Sequence, residues 1–394
     1  MSSVATLDIV RTRARLAGSG TGVGPQAPFD AVEQAVEALG RDPGLVLIFP
    51  TGPLDPREAA VQAQTAAGMA RVAGMTGTGA ITLDGAIENG CSAVAFDSSL
   101  PVGLGTSTSS DRRAAGRCAA AEALFGVGRD RSHTVLLLFV DSDSGDQAEV
   151  VAGAYEIAGG RVQLAGGAAG GQTRAQFADG EALSGSVVAV ALVSPTPVGI
   201  GIAHGCAPLG APSIVTRSRD RIVLQLDGRP AESVYLEKLG MSDVSLNDCE
   251  FEEIAMSHPL AEPELRGNAR PRYVRGRAPG GGLVCATSIE ANAPVDVCEH
   301  KPEAIVFSAG AAVNQALRQL SGPAEAVVLF DCAARSERFG NPLAHREIDS
   351  IVSSLGDPPP ALAGAYTRGE IGRIRGAKGD RNYSLVVVAL GSAS

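Results

Sequence analysis

Short apolar runs punctuated by Asp-Gly, Gly and Pro alternate along this chain with charged, Ala-rich stretches, and the alternation predicts strands and helices in turn. Leu45–Phe49 reads as a strand. Asp55-Pro56-Arg57-Glu58 supplies an N-cap, a first-turn Pro and an acid at the third position, so a helix starts there and runs to about Ala70. Val72-Ala73-Gly74, a small-residue run Thr76–Ala80, the turn Asp84-Gly85 and an apolar strand Cys91–Phe96 follow. The same order returns as strand Val135–Val140, a helix from Asp146 to Ala158, Leu164-Ala165-Gly166, the small run Gly167–Gly171, the turn Asp179-Gly180 and strand Val187–Val193. The two Asp-Gly turns, at 84 and 179, stand 95 residues apart. A looser third copy comprises strand Ala326–Phe330, a helix over Leu343–Leu355, Leu362-Ala363-Gly364, Arg368-Gly369-Glu370 and strand Leu385–Leu390. Repetition on that scale signals a duplicated strand–helix–strand unit, and hence an α/β fold of layered sheets with covering helices.

Between these copies the pattern is weaker. Gly18–Gly24 misses the G-x-G-x-x-G spacing of a dinucleotide loop, and residues 1–29 are expected to form a flexible arm. Asp97–Arg117 is rich in Ser, Thr and Gly; a solvated crossover loop is favoured there over an anion site at Gly103–Ser107. An Ala-rich helix, Arg113–Phe125, comes next. In the middle, Ser213–Thr216 and Ile222–Leu226 flank a charged tip and read as a hairpin. Asp227-Gly228 turns the chain into a helix, Ala231–Leu239, which Gly240 stops. Residues 241–272 carry seven acidic side chains and read as a mobile connection or surface excursion. Tyr273–Arg277 and Leu283–Ile289 are expected strands, with Ala304–Ser308 another before a helix Ala311–Leu320.

Composition narrows the function. A chain of 394 residues, 45% hydrophobic, is long enough for two or three domains with real cores. A net charge of −10 argues against nucleic acid or an anionic membrane as partner. No run approaches the ~18 apolar residues of a membrane span, and MSSVATLDIVRTRARLAG lacks the apolar core of a signal peptide. Seven Cys without a C-x-x-C pair fit reduced thiols, so a cytoplasmic location is expected.

Several stretches hold candidate chemistry. Gly166–Thr173 fits a Walker A frame except that Gln172 stands where the phosphate-binding Lys belongs, so NTP hydrolysis is not expected. Asp331-Cys332-Ala333-Ala334-Arg335 follows directly on a strand, where ligands of α/β sheets collect. Cys332 is either a nucleophile or redox thiol near Arg335, or a small buried residue. Glu347 lies on the next helix; Tyr366-Thr367-Arg368-Gly369-Glu370 forms a polar turn, and Asn382 and Ser384 open the last strand. The five His show no metal-ligand spacing, so no metal site is expected.

The central string, HG-x-x-P-x-G from His204, then VT at 215, LDG-x-PA from 226, VY at 234 and LG at 239, resembles the centre of the FIST family (F-box and intracellular signal transduction proteins). Cys332, Arg335, Glu347, the Tyr366–Gly372 turn and Asn382 are similar to the family's C-terminal signature. The resemblance implies a FIST N-like module over 30–215 and a FIST C-like module over 216–394. It implies sensing of a small polar metabolite, such as an amino acid, with the state passed to a separate signalling protein. Its ligand-binding residues would be Cys332, Arg335, Glu347, Tyr366, Thr367, Arg368, Gly369, Glu370 and His204. Arg335 or Arg368 would clamp a carboxylate, and Glu347 or Glu370 would meet an ammonium group. Two alternatives stay open. One is a haem-based nitric oxide sensor with His204 or His258 as axial ligand; the other is an enzyme that uses Cys332.

Overall fold

The computed structural model describes residues 15–128, 132–264, 269–337, 341–373 and 378–392. A first unit runs β1 (Ala17–Val23), α1 (Ala27–Leu39), β2 (Pro43–Thr51), α2 (Pro56–Ala67), β3 (Arg71–Met75), β4 (Gly79–Thr82), β5 (Gly85–Ile87) and β6 (Gly90–Asp97). The second has the same order: β7 (Val102–Ser107), α3 (Arg112–Gly126), β8 (Thr134–Val140), α4 (Gln147–Ala158), β9 (Gln163–Ala168), β10 (Gln176–Ala178), β11 (Glu181–Leu183) and β12 (Val187–Val193). The third opens with β13 (Gly199–Ala203) and is then interrupted. The interruption holds β14 (Cys206–Pro208), β15 (Ser213–Arg219), β16 (Ile222–Leu226), β17 (Arg229–Pro230), α5 (Ala231–Lys238), α6 (Asp248–Ala255), β18 (Leu260–Pro263), β19 (Ala269–Arg272), β20 (Val274–Ala278), β21 (Gly282–Cys285) and β22 (Pro294–His300). The unit resumes with α7 (Pro302–Leu317), β23 (Ala324–Cys332), α8 (Ala333–Glu337), α9 (Asn341–Ser353), β24 (Ala361–Thr367), β25 (Glu370–Gly372), β26 (Asp380–Arg381) and β27 (Leu385–Gly391).

Three sheets share one strand order: β1-β6-β2-β3, β7-β12-β8-β9 and β13-β27-β23-β24. Each is completed by a hairpin from another unit. The second unit's β10-β11 pairs with β3, the third unit's β25-β26 with β9, and the first unit's β4-β5 with β24. The exchange is cyclic and closes on itself. Where the units meet, the rings of Phe49, Phe139 and Phe330, on the equivalent strands β2, β8 and β23, pack with centroids 5.9–6.2 Å apart. Beside them three backbone bonds form a closed ring: Thr78 N–H donates to the Tyr366 carbonyl (2.9 Å), Gly170 to Thr76 (2.9 Å) and Arg368 to Ala168 (3.0 Å).

Several sequence expectations need correction. Residues 17–23, assigned to a flexible arm, form β1; residues 1–14 lie outside the described residues. The Gly-Leu-Gly-Thr-Ser stretch, expected as a crossover loop, is strand β7. Both have one cause. Alternate glycines of β1, β7 and β13 let α1, α3 and α7 lie directly on the strand. A Cβ at Gly22, Gly103 or Gly201 would sit 1.8–2.1 Å from a helix carbonyl oxygen. Ala304–Ser308 is not a strand, because Pro302 starts the single helix α7 that contains it. The expected boundary at 215–216 falls inside β15, and β13 on its N-terminal side pairs with β27.

Residues 241–272, expected as a mobile connection, contain α6 with an Asn247–Glu250 capping box, β18 and β19. They belong to a fourth, nine-stranded sheet inserted in the third unit. An ion network fastens this sheet to the body. Glu262 accepts from Arg270 (2.6 Å) and Arg272 (2.8 Å), and Asp380 of β26 pairs with both Arg272 (2.6 Å) and Arg270 (3.0 Å). All four side chains are buried, so each charge depends on its partners, and removal of one would strand the others.

Candidate functional site

β23 and β24 run parallel, with Asp331 opposite Tyr366 and Cys332 opposite Thr367. Their carboxyl ends are the edge where an open α/β sheet presents ligand contacts. After β24 the chain must turn at once into β25. Gly369, at φ 158°, makes that turn against Gln147, where a Cβ would lie 2.5 Å from the amide oxygen. The Gln147 amide also donates to the Glu370 carbonyl at 2.7 Å, which fixes the turn from the second unit.

A cavity of about 300 Å³ opens at this edge. Its walls come from three parts of the molecule: Ser142, Asp143 and Arg174 from the second unit, Tyr273 and Arg275 from the inserted sheet, and Cys332, Thr367, Arg368 and Asn382 from the third unit. Arg174 pairs with Asp143. Asn382 accepts from the Tyr273 N–H (3.2 Å) and donates to the Arg381 carbonyl (2.9 Å), which holds the inserted sheet to the last strand beside the cavity. A second, more open cavity of about 850 Å³ lies toward the first unit and includes Thr78, Glu88, Asn89, Gln172, Tyr366 and Arg368. Arg368 lines both.

Of the residues expected to bind ligand, Cys332, Thr367 and Arg368 therefore share the smaller cavity, while Tyr366 faces the larger. Arg335 and Glu347 line neither and require correction. Arg335 is fully buried; its guanidinium pairs with Glu347, lies 2.9 Å from Asp331, and donates to the carbonyls of Ile305 and Tyr383 at 3.3 Å. Burial works against that cation, but Glu347 and Asp331 outweigh it and hold its pKa above the usual value. Its hydrogen-bonding capacity is spent inward. Burial, then the Glu347 charge, pushes Asp331 well above the carboxylate range despite Arg335.

Glu370 is also fully buried, beneath Cys332 and Thr367. It accepts from the Thr367 hydroxyl (2.9 Å), the Ser384 N–H (3.1 Å) and the Cys332 thiol. Burial outweighs those bonds and pushes its pKa up to about 8, so at neutral pH it is mainly the neutral acid. Burial, then Glu370, raises the Cys332 thiol well above its ordinary value. The cavity floor is thus uncharged, and a thiolate would form only if a base removed the proton.

His204 stands apart from both cavities. Its Nδ1 accepts from the Cys206 N–H (3.0 Å), its carbonyl accepts from His300 Nε2 (2.6 Å), and burial, Arg335 and Arg381 push its pKa down to about 4. His258 donates through Nδ1 to the Ile254 carbonyl at 2.8 Å, at the end of α6. Neither lines the two cavities around Arg368. The Walker-like stretch forms β9 and the backbone ring, and Gly171 and Gln172 line the larger cavity. Sequence reasoning missed Arg174, Tyr273 and Arg275 as cavity residues. No local spacing marks them, because they reach the site from two other parts of the fold.

The family model of the FIST N domain matches residues 23–229, and that of the FIST C domain matches residues 231–373. An uncharacterized protein of Mycobacterium tuberculosis (strain ATCC 25618 / H37Rv) is 30% identical over 219 residues, 54% of this chain and 55% of that protein. Another, of Mycobacterium bovis (strain ATCC BAA-935 / AF2122/97), is 32% identical over 224 residues, again 54% and 55%. The chain spans about half the length of the curated relatives it matches. Among solved structures, a cyanuric acid hydrolase from A. caulinodans aligns with TM-score 0.26 and 14% identity over 45% of this chain and 71% of that one. A second cyanuric acid hydrolase aligns with TM-score 0.34 and 9% identity over 95% and 98%. Scores this low set no correspondence of residues.

Proposed function

This chain belongs to the FIST family, associated with signal-transduction sensing, and from that premise we propose that it binds a small polar metabolite in the 300 Å³ cavity and passes its occupied or empty state to a separate protein in the cytoplasm. One observation carries the reading: the cavity takes its walls from the second unit, the third unit and the inserted sheet, so a ligand there touches all three. A ligand shifts an equilibrium between arrangements only by its differential affinity for them, and contacts spanning three parts provide that difference. Arg368 is the expected residue that faces the cavity and would clamp a carboxylate. An ammonium group would meet Asp143, since Glu347 and Glu370 are turned inward.

A thermal-shift screen of metabolites, followed by calorimetric titration of the hits, tests this. Arg368→Ala should lower the affinity of a true ligand at least tenfold without loss of fold. Hits that bind Arg368→Ala and Asn382→Ala as well as the parent would place binding elsewhere. Chemistry at Cys332 is the second reading, favoured by the thiol's position on the cavity and its hydrogen bond to Glu370. Cys332→Ser separates the two, since a sensor keeps its affinity and an enzyme loses turnover.

A further inference from the structure

We infer that the tip of the β15–β16 hairpin and the adjoining bulge of β20 form a docking surface for an acidic segment of another protein, held by Arg217, Arg219, Arg221 and Arg275. The inference rests on the proposed reading that a separate protein receives the state of the site. These four side chains form no ion pair and no hydrogen bond among the described residues. The other described arginines of the insert behave differently: Arg229 pairs with Glu237, Arg270 and Arg272 with Glu262, and Arg277 with Asp248. The insert's arginines thus divide into a paired and an unpaired set, and the unpaired set occupies one place. Arg217 and Arg219 stand two residues apart on β15, so their side chains leave one face about 7 Å apart. The Arg221 carbonyl accepts from the Cys285 N–H of β21 at 2.8 Å, and Cys285 pairs on its other side with Val274 of β20. Arg275 is the extra residue of the bulge that follows Val274, and a bulge re-aims the side chain it carries. Burial, then the charge of Arg221, lowers the Arg275 pKa, so the two cations act on one another.

The occupant follows from charge and extent. Between Arg217 and Arg221 the only acid in the sequence is Asp220, which sits in the turn at φ 52° and pairs with none of the four among the described residues. Cations closer than the ~8 Å screening length of physiological salt repel one another, so carboxylates brought from outside relieve a repulsion as well as forming bonds. Each cation is Arg, whose planar fork takes a carboxylate in bidentate fashion. Five residues of strand cover only about 13 Å, the reach of a short extended segment. Beyond the patch the chain is acidic, with 33 Lys and Arg against 43 Asp and Glu. A long nucleic acid or an anionic bilayer would run onto that negative surface, whereas a short acidic segment ends within the patch. Arg275 also lines the 300 Å³ cavity, so occupancy of the cavity and docking at its rim share a side chain.

Fluorescence anisotropy of the full chain with a labelled decapeptide of alternating Glu and Ser tests the inference, beside a Gln-Ser decapeptide, oligothymidylate and phosphatidylserine vesicles. The Glu-Ser peptide should bind, more weakly as salt rises, and the Gln-Ser peptide should not. Reversal of the hairpin by Arg217→Glu, Arg219→Glu and Arg221→Glu together should lower the affinity for the Glu-Ser peptide at least tenfold. The melting temperature of that variant should be unchanged or higher, because a mutual repulsion is gone. Arg57→Glu, Arg161→Glu and Arg318→Glu together change the net charge equally at exposed positions on α2, after α4 and after α7, and should leave the affinity within about twofold. Equal losses from the two reversals, or no binding of the Glu-Ser peptide, would overturn the inference. Oligothymidylate or vesicles that bind more tightly than the peptide, and are lost on the hairpin reversal, would overturn the assignment to a protein segment. The metabolite titrations stand apart from the hairpin: a hit lost on Arg368→Ala supports the sensing site however the peptide behaves, and hits that all ignore Arg368→Ala overturn that reading alone.

Discussion

Glu370 gives the sharpest quantitative test of the site as described. Its carboxyl has a pKa near 8 in the folded chain against an ordinary value of 4.5. Between those values the folded state keeps a proton that the unfolded state has lost. Stability then falls as pH rises, by about 1.4 kcal/mol per pH unit for one proton. The contribution is complete below pH 4.5, is lost as pH climbs to about 8, and totals on the order of 5 kcal/mol. For 394 residues the unfolding entropy is ~0.8 kcal/mol per degree, so the slope corresponds to roughly 1.7 °C per pH unit and the total to about 6 °C.

Glu370→Gln isolates this contribution. The amide can accept from the Thr367 hydroxyl as the acid does, but it cannot ionise. Melting temperatures of both proteins, scanned from pH 5 to pH 9 by calorimetry, should nearly coincide at pH 5. They should then diverge in favour of the amide until about pH 8, and run parallel above it. His204 and His300, pushed down to about 4 and about 3, add the opposite slope below their ordinary 6.5, but they do so equally in both proteins and cancel. Curves that stay parallel throughout would show that Glu370 is ionised in the fold and that the neutral floor is wrong.

Three further outcomes follow from the packing. Arg335→Met removes the cation that buried Glu347 is paired with and should cost about 3–5 kcal/mol, read as a fall of ~4–6 °C in melting temperature; an unchanged melting temperature would return Arg335 to the list of dispensable, ligand-facing residues. Gly166→Ala puts a Cβ 2.0 Å from the Leu138 carbonyl at φ 143° and should abolish soluble expression, whereas Gly160→Ala, in open space, should change stability by less than about 0.5 kcal/mol in the same assay. Brief treatment with N-ethylmaleimide should add two labels per chain by mass spectrometry, at exposed Cys118 and Cys249, with buried Cys91, Cys285 and Cys332 labelled only after unfolding; rapid labelling of Cys332 would favour the reading that uses it chemically.

The apolar runs were legible because β-branched residues and Asp-Gly turns signal locally. Val135–Val140 and Val187–Val193 lie within β8 and coincide with β12. β1 and β7 were misread because a strand made of glycine carries no hydrophobic alternation. Their signal was nonetheless present, as glycine itself at every second position: 18, 20, 22; 103, 105; 199, 201. Each set precedes an Ala-rich helix, the small-on-small contact that such strands permit. The third copy looked loose because a sheet of its own core interrupts it between β13 and α7. At the site, the density of polar residues located the right edge of the sheet. It could not say which side chains faced outward, and so Arg335 and Arg368 were indistinguishable until the helices were placed. Arg275 was beyond reach, since its approach depends on how β20 is carried to the third unit by the ion network at Asp380.

The cyclic exchange brings equivalent positions of the three units together, and their side chains differ. Counted from the Ala-Gly steps at 73, 165 and 363, the positions that close the backbone ring are Thr78, Gly170 and Arg368. Their N–H groups do the same work, but the side chains are not interchangeable: a Cβ at Gly170 would lie 2.8 Å from the Thr78 Cγ2, so glycine is required there. On the exchanged hairpins, the equivalent residues Ala80, Gln176 and Glu370, which face Ala365, Met75 and Gly167, differ as well. Charge at the ring is thus confined to the third unit, beside the strand end that also presents Cys332 and beneath the inserted sheet that supplies Arg275. A symmetric frame with one decorated corner has a preferred place for a ligand. The inserted sheet that bounds that corner is also the part with no counterpart among the described residues of the other two units.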